Sequence, residues 1–137
     1  MLLKKYFISL ITILTISVSA DPLDPIQLLS DFVGVDTINP PGNESRAVDF
    51  YAKIFEEEGI EYSFGESAPG RGNIWARIKG GDKPALILLQ HTDVVPASKD
   101  YWETDPMVAQ IKDGYLYGRG VIDMKGAGIS QLVSFVR

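Results

Sequence analysis

The only histidine of the chain, His91, stands close to Asp93 in the segment LLQHTDVVP. A neutral imidazole nitrogen is a good zinc ligand, and a carboxylate on the other ring nitrogen fixes the tautomer and the ring orientation. A second acidic candidate, Asp123, lies among glycines in the segment GRGVIDMKG. A His-x-Asp pair alone is also compatible with an ordinary polar strand end. Whether these residues form a metal site therefore depends on the helices and strands that position them.

Two helices are predicted before His91. Asp24 is a suitable N-cap for a helix over 25–34 that has proline at its first position. The segment TINPPGNES then forms a loop, and Asn43 or Ser45 opens a second helix that runs to about Glu58. Apolar residues recur at helical spacing in both segments and are expected to face the core: Ile26, Leu28, Leu29, Phe32, Val33, Val48, Tyr51, Ile54 and Phe55.

Strand patterns follow the helices. Short strands are predicted over 60–64 and 73–79, and the second of these alternates apolar and polar residues. The run ALILLQ at 85–90 is apolar on both faces, which is typical of a central strand covered by helices on both sides. His91 would then follow the carboxyl end of a central strand, where open α/β sheets place their ligand sites. A hairpin is predicted around the turn Asp113-Gly114.

Composition limits the class of protein. The chain has 137 residues, of which 45% are apolar and 23% charged, as in a single soluble globular domain. The formal net charge is −5 and the sequence has no basic stripe, so no nucleic-acid partner is expected. The chain has no cysteine, which excludes disulfides, thiolate metal sites and a cysteine nucleophile.

Residues 1–20 are predicted to be a secretory signal peptide, and 21–137 the mature chain. Lys4 and Lys5 form a basic start, an apolar stretch follows over 6–18, and a small residue, Ala20, precedes an acidic, proline-rich beginning. The alternative is an uncleaved membrane anchor, but the apolar stretch is shorter than the ~20 residues that span a bilayer. The expected location is therefore secreted or periplasmic, with no stable membrane span after cleavage.

Several motifs together resemble one family. The segments HTDVVP, DGYLYGRG and DMKG, with Trp102 and the pair Asp105-Pro106 between them, occur in the order and spacing of the dinuclear zinc exopeptidase and deacylase family. That family includes acetylornithine deacetylase, succinyl-diaminopimelate desuccinylase, glutamate carboxypeptidase, aminoacylases and Gly-X carboxypeptidase. The resemblance spans about 25–137. It implies a three-layer α/β sandwich with a mixed central sheet.

The resemblance also implies roles for the three candidates. His91 would bind one zinc ion and Asp123 would bridge two zinc ions, with cobalt or manganese as alternative metals. The catalytic role of Asp93 would be to hydrogen-bond the imidazole of His91. The peptide bond between Asp123 and Met124 would be cis. Two such ions lower the pKa of a shared water molecule and polarise an amide carbonyl.

Other residues near the motifs keep more than one interpretation. Arg119 is either a substrate contact or, as we favour, part of a structural ion pair or loop brace. Trp102, Asp105 and Pro106 are expected to hold a loop under the site, and a direct contact with the substrate is the alternative. Lys125 is expected to cap a helix or form a salt bridge, without a part in catalysis.

The family pattern has parts that this sequence does not contain. An adjacent glutamate pair, a later histidine ligand and an inserted lid domain would follow the third helix, which begins near Gly126. We therefore expect an N-terminal part of the catalytic domain of a secreted zinc hydrolase. Its substrates would be peptides or N-acyl amino acids, and the oligomeric state is left open. The alternative is a truncated, inactive exported chain with at most weak metal binding.

Overall fold

The computed structural model describes residues 23–137, and the predicted signal peptide at 1–20 lies outside the described residues. Three helices form the body of this part of the chain: α1 (Pro25–Gly34), α2 (Ser45–Glu57) and α3 (Gly126–Val136). The Asp24 carboxylate accepts a hydrogen bond from the backbone N–H of Ile26 at 2.9 Å, which confirms the predicted N-cap. No helix within residues 23–137 is long and apolar enough to cross a membrane.

The three helices share one apolar core. Phe32 of α1 is fully buried and contacts the ring of Tyr51 of α2 edge-on, with ring centroids 5.3 Å apart. The buried cluster consists of Leu23, Leu28, Phe32, Ala47, Tyr51, Ile54, Phe55, Ile129 and Leu132. The predicted inward face is confirmed in α2, whereas Ile26 of α1 is half exposed. Ile26 lies in the first turn of α1.

Two small antiparallel sheets accompany the helices. Strands β1 (Tyr62–Glu66) and β2 (Gly72–Ala76) pair with each other and pack on α2. Strands β3 (Gln110–Lys112) and β4 (Tyr115–Tyr117) form the predicted hairpin. Its turn has positive φ at Asp113 (53°) and Gly114 (81°), the backbone geometry that favours an Asp-Gly pair.

The prediction of a buried central strand at 85–90 is wrong for the described part of the chain. This segment is not assigned to a strand, and Leu86, Ile87 and Leu89 are each about four-fifths exposed, at 84%, 80% and 79%. A strand that is apolar on both faces becomes buried only when helices cover both faces and other strands pair with its edges. Within residues 23–137, no strand pairs with this segment and helices do not cover its two faces. The described residues therefore show helices and small antiparallel sheets, consistent with part of an α/β fold.

The segment after 85–90 is held by contacts with earlier parts of the chain. A parallel bridge joins Ile38 to Val94, and the Thr37 hydroxyl donates to the carbonyl oxygen of Thr92 at 2.7 Å. The Gln90 side chain reaches Tyr51 of α2 and donates to its hydroxyl oxygen at 2.5 Å. These contacts fix the segment that carries His91 and Asp93.

Candidate metal centre

The structure brings His91, Asp93 and Asp123 together. The Nδ1 atom of His91 lies 3.0 Å from the Asp93 carboxylate and 3.1 Å from the Asp93 carbonyl oxygen. The Nε2 atom on the other side of the ring lies 3.0 Å from Oδ1 of Asp123. One imidazole therefore stands between two carboxylates.

Asp123 lies in an irregular turn at Val121–Lys125, between β4 and α3. The turn leaves helical geometry at Asp123 itself (φ −122°, ψ 97°), and the Asp123–Met124 peptide bond is cis, as the family resemblance implied. Gly120 opens the turn with φ 88°, and a Cβ atom on Gly120 would lie 2.7 Å from Cγ1 of Val94. Only glycine satisfies both the backbone angle and the close approach.

Lys125 connects this turn to the C-terminal end of α1. Its side chain is 1% exposed, and its Nζ donates to the carbonyl oxygens of Phe32 at 2.8 Å and Val35 at 2.7 Å. These carbonyls lie at the C-terminal end of α1, so Lys125 caps that helix. Burial lowers the pKa of the Lys125 ammonium to about 8, and the nearby negative charge of Asp36 opposes this shift. The sequence suggested a cap but could not identify which helix is capped.

Hydrogen bonding sets the protonation of the centre. The hydrogen bond with Asp123 raises the pKa of the His91 imidazole, partial burial opposes this, and Asp93 adds to the increase. The amide of Asn39 donates to the Asp93 carboxylate at 2.9 Å and is the main reason that the pKa of Asp93 is lowered. Asp93 is therefore held ionised as the acceptor for Nδ1 of His91. No local sequence signal marks Asn39 as a partner of Asp93, because the two residues are 54 positions apart.

The three residues line an open cleft of about 250 Å³. Its lining residues are His91, Asp93, Val94, Val95, Trp102, Gly118, Arg119, Gly120, Ile122 and Asp123. The Arg119 guanidinium lies 5.4 Å from the centre of the Trp102 ring. Arg119 forms no ion pair with any residue in 23–137, so the favoured structural ion pair is not found in this part of the chain.

The contacts of the loop that contains Asp105 and Pro106 are consistent with the alternative of a loop brace. The backbone N–H of Arg119 donates to the carbonyl oxygen of buried Pro106 at 2.6 Å. Lys99 forms an ion pair with the Asp105 carboxylate, and Asp105 accepts a hydrogen bond from the N–H of Met107 at 3.0 Å. The predicted role of Asp105 and Pro106 in holding a loop below the site is therefore consistent with the structure.

The donor atoms suit a zinc ion. Two ligands about 2.0–2.1 Å from one tetrahedral ion are separated by roughly 3.3 Å. The 3.0 Å separation of His91 Nε2 and Asp123 Oδ1 is close to this value. The carboxylate on Nδ1 completes the usual carboxylate–histidine–metal arrangement. Within the described residues, no group of three or more His, Asp or Glu side chains could hold a metal. The described residues therefore supply two suitable zinc ligands, His91 and Asp123.

Comparison with known proteins places this geometry in a family. The model of peptidase family M20/M25/M40 matches residues 87–136, which include His91, Asp93 and Asp123. The succinyl-diaminopimelate desuccinylase of Ehrlichia canis is 36% identical over 109 residues, and that of Parvibaculum lavamentivorans is 37% identical over 114 residues. These alignments cover 77% and 79% of this chain. The chain belongs to the M20/M25/M40 peptidase family.

A solved structure supports this assignment to the M20/M25/M40 family. Human carnosine dipeptidase 1 matches with a TM-score of 0.64 and 26% identity over 82% of this chain. The chain spans 28% of the length of the two desuccinylases and 27% of that dipeptidase.

Proposed function

We propose that this protein acts as a zinc-dependent hydrolase of peptide or N-acyl amino acid amide bonds. The observation that carries the proposal is the position of His91, with Asp93 on Nδ1 and Asp123 facing Nε2 at 3.0 Å. The names of the relatives, desuccinylase and dipeptidase, both describe cleavage of an amide bond.

In the proposed centre, His91 and Asp123 would hold the zinc ions. Asp93 accepts the Nδ1 proton, which leaves the Nε2 lone pair available as a ligand and fixes the ring orientation. Asn39 in turn orients Asp93. Bound zinc would polarise the amide carbonyl and lower the pKa of the attacking water. The remaining ligands and the general base would come from outside the described residues.

For the complete fold we propose a three-layer α/β sandwich with a mixed central sheet. The three helices and the two small antiparallel sheets of the described residues are consistent with part of such a fold. We also propose that the protein is exported, on the basis of the signal-like segment 1–20. Mass spectrometry of the exported protein would test this by finding a mature N-terminus near Asp21.

A second candidate function has its own support. Because the described residues supply two metal ligands, the chain could bind one ion weakly without hydrolysing a substrate. This alternative differs from the first in activity but not in the residues that contact the metal.

Metal binding and hydrolysis, measured on the same samples, test both candidates. Zn²⁺ is titrated calorimetrically into the full chain, and hydrolysis of an N-succinyl amino acid and of a dipeptide is followed with and without chelator. Variants His91→Ala and Asp123→Asn are expected to lose Zn²⁺ binding, while Asp49→Asn, at an exposed position of α2, retains it. Chelator-sensitive hydrolysis supports the enzyme, and binding without hydrolysis supports the alternative. Unchanged Zn²⁺ binding in both ligand variants contradicts both.

A further inference from the structure

We infer that Arg71 is a positioning residue for the candidate centre. Arg71 lies in the turn between β1 and β2 and is not among the residues that line the cleft. It acts through the loop over 39–44, which connects that turn to Asp93. The inference rests on the proposed function in one respect only, namely that His91 is a metal ligand. The effect of Arg71 on the imidazole itself requires no metal.

The Arg71 side chain is fixed against the far end of this loop. Its Nε lies 2.7 Å from Oε2 of Glu44, a residue that is only 8% exposed. A Cβ atom on Gly42 would lie 2.8 Å from the same Nε, so the guanidinium lies directly on the Gly42 backbone. The N–H of Ser45 also donates to the carbonyl oxygen of Gly70 at 3.0 Å. The turn of the β1–β2 hairpin is therefore docked on the loop.

The near end of the loop contacts the candidate centre. The N–H of Gly42 donates to the carbonyl oxygen of Ile38 at 2.9 Å, which closes a tight turn. Ile38 forms the bridge to Val94, and the backbone N–H of Asn39 donates to the carbonyl oxygen of Val94 at 2.9 Å. The Asn39 side chain donates to Asp93, also at 2.9 Å. The loop thus has the hairpin on one side and Asp93 on the other.

The loop between these two ends is stiff. It contains two consecutive prolines, whose rings restrict φ to about −65°. A displacement at Gly42 is therefore carried to Asn39 and not absorbed between them. Removal of the Arg71 guanidinium would leave the buried Glu44 carboxylate without its cation, which is unfavourable. Glu44 would then move towards water and take the loop with it.

The consequence at His91 concerns which ring nitrogen carries the proton. Two oxygens of Asp93 face Nδ1, at 3.0 and 3.1 Å, and Oδ1 of Asp123 faces Nε2 at 3.0 Å. In a neutral ring these acceptors compete for a single proton. Asn39 holds the Asp93 carboxylate in place and thereby favours the proton on Nδ1, which leaves Nε2 free as a metal ligand. A displaced Asn39 favours the proton on Nε2.

Nitrogen NMR of the single imidazole provides the test. The metal-free full chain is labelled with nitrogen-15 histidine and measured at a pH where the ring is neutral, so that the two nitrogen shifts report the tautomer. Wild type is expected to carry the proton mainly on Nδ1. Arg71→Gln should shift the proton towards Nε2, and Asn39→Ala should shift it further. A wild-type ring already protonated at Nε2, or identical spectra for wild type and Arg71→Gln, would overturn the inference.

Two control variants separate positioning from general destabilisation. Arg77→Gln removes an exposed arginine that follows β2 and should leave the tautomer unchanged. Phe55→Leu loosens the buried core at α2 and should lower the free energy of unfolding without changing the tautomer. If either control shifts the proton as far as Arg71→Gln does, the effect is not specific to Arg71 and the inference fails.

Two further variants test the ion pair itself. Arg71→Lys keeps a cation beside Glu44 and should restore part of the wild-type tautomer, which a loss of packing alone would not do. Glu44→Gln removes the pair from the other side and decides the matter if Arg71→Gln does not fold. A shift of the proton towards Nε2 in Glu44→Gln supports the inference, and an unchanged tautomer contradicts it.

Zinc affinity distinguishes failure of this inference from failure of the proposed function. Arg71→Gln should weaken Zn²⁺ binding by roughly three- to tenfold, and Asn39→Ala by about tenfold or more. If the wild-type chain binds no Zn²⁺, the proposed function falls, and the tautomer measurement still decides the role of Arg71. If the wild type binds Zn²⁺ and Arg71→Gln leaves the affinity unchanged, the metal centre stands and the positioning role falls.

Discussion

The Nζ of Lys125 donates to the carbonyl oxygen of Phe32 at 2.8 Å and thereby joins the turn that carries Asp123 to the end of α1. The same ammonium donates to Val35 and lies 4.7 Å from the centre of the Phe32 ring. The position of Asp123 therefore depends on a contact with the first helix of the chain.

Replacement of this lysine should destabilise the protein. Lys125→Met keeps the length of the buried side chain but removes the donor to two carbonyl groups, so we expect a loss of about 1–3 kcal/mol in the free energy of unfolding. Urea unfolding followed by circular dichroism measures this loss. Lys53→Met, at a side chain that is 77% exposed, is the control and should stay within about 0.5 kcal/mol of wild type. Equal effects of the two substitutions would contradict the structural role of Lys125.

The pKa of Tyr51 predicts a stability change at high pH. Burial raises the pKa of its hydroxyl from 10.0 to about 12, although the hydrogen bond from Gln90 opposes the shift. Between these values the unfolded tyrosine is ionised while the folded one stays neutral, so stability falls as pH rises above about 10. At about pH 11 the loss is about 1 kcal/mol relative to Tyr51→Phe. Unfolding at about pH 9 and pH 11 measures it, with Tyr115→Phe at an exposed position as control.

The single histidine allows a direct test of the candidate centre by NMR. In metal-free protein the pKa of His91 should lie above its usual value of 6.5, chiefly because of the hydrogen bond with Asp123. Asp123→Asn should therefore lower the midpoint more than Asp93→Asn does, while Asp49→Asn leaves it unchanged. A wild-type midpoint at or below 6.5 would show that the two carboxylates do not flank the ring in solution.

Gly128→Ala in α3 should displace the Gln90 side chain. A Cβ atom on Gly128 would overlap Oε1 of Gln90, so the end of this flexible side chain must move away from Tyr51. The expected loss is that of the Gln90–Tyr51 hydrogen bond, about 0.5–1.5 kcal/mol in the free energy of unfolding. Gly34→Ala, where a Cβ would meet nothing within 4 Å, is the matched control. If the conflict is with Gln90, then Gln90→Ala should relieve most of the loss in a double-mutant cycle.

The exposed segment 85–90 should promote self-association. Its apolar residues and unpaired backbone resemble an uncovered strand edge, which is prone to pair with other chains. Ile87→Lys changes a residue that is 80% exposed, so it should reduce light scattering without lowering the free energy of unfolding. Size-exclusion chromatography with light scattering makes this comparison, with Lys83→Arg as a charge-preserving control nearby. If Ile87→Lys leaves the self-association unchanged, a surface other than segment 85–90 is responsible for it.

The elements that the sequence predicts well are those with local signals. The cap at Asp24 and the Asp113-Gly114 turn each act through neighbouring backbone groups. The buried state of 85–90 could not be inferred in the same way. Burial of a central strand depends on strands and helices that are distant in sequence. The apolar run indicates only that both faces of the segment would need to be covered by other elements.

The sequence marks the three principal residues of the candidate site, but it does not mark the residues that support them. His91, Asp93 and Asp123 are marked by their motifs and by the family resemblance. Asn39, Gln90 and Lys125 contact the site region or hold it in place through partners that lie far away in sequence. No periodicity or spacing marks such pairs, because each depends on how α1 and α2 pack against the later part of the chain.

The contacts that hold the His91 segment all come from the N-terminal part of the chain. Thr37, Asn39 and Tyr51 supply the partners of Thr92, Asp93 and Gln90, and all three precede that segment in the sequence. The N-terminal part of the described residues therefore acts as an internal scaffold for a candidate site to which it contributes no proposed metal ligand.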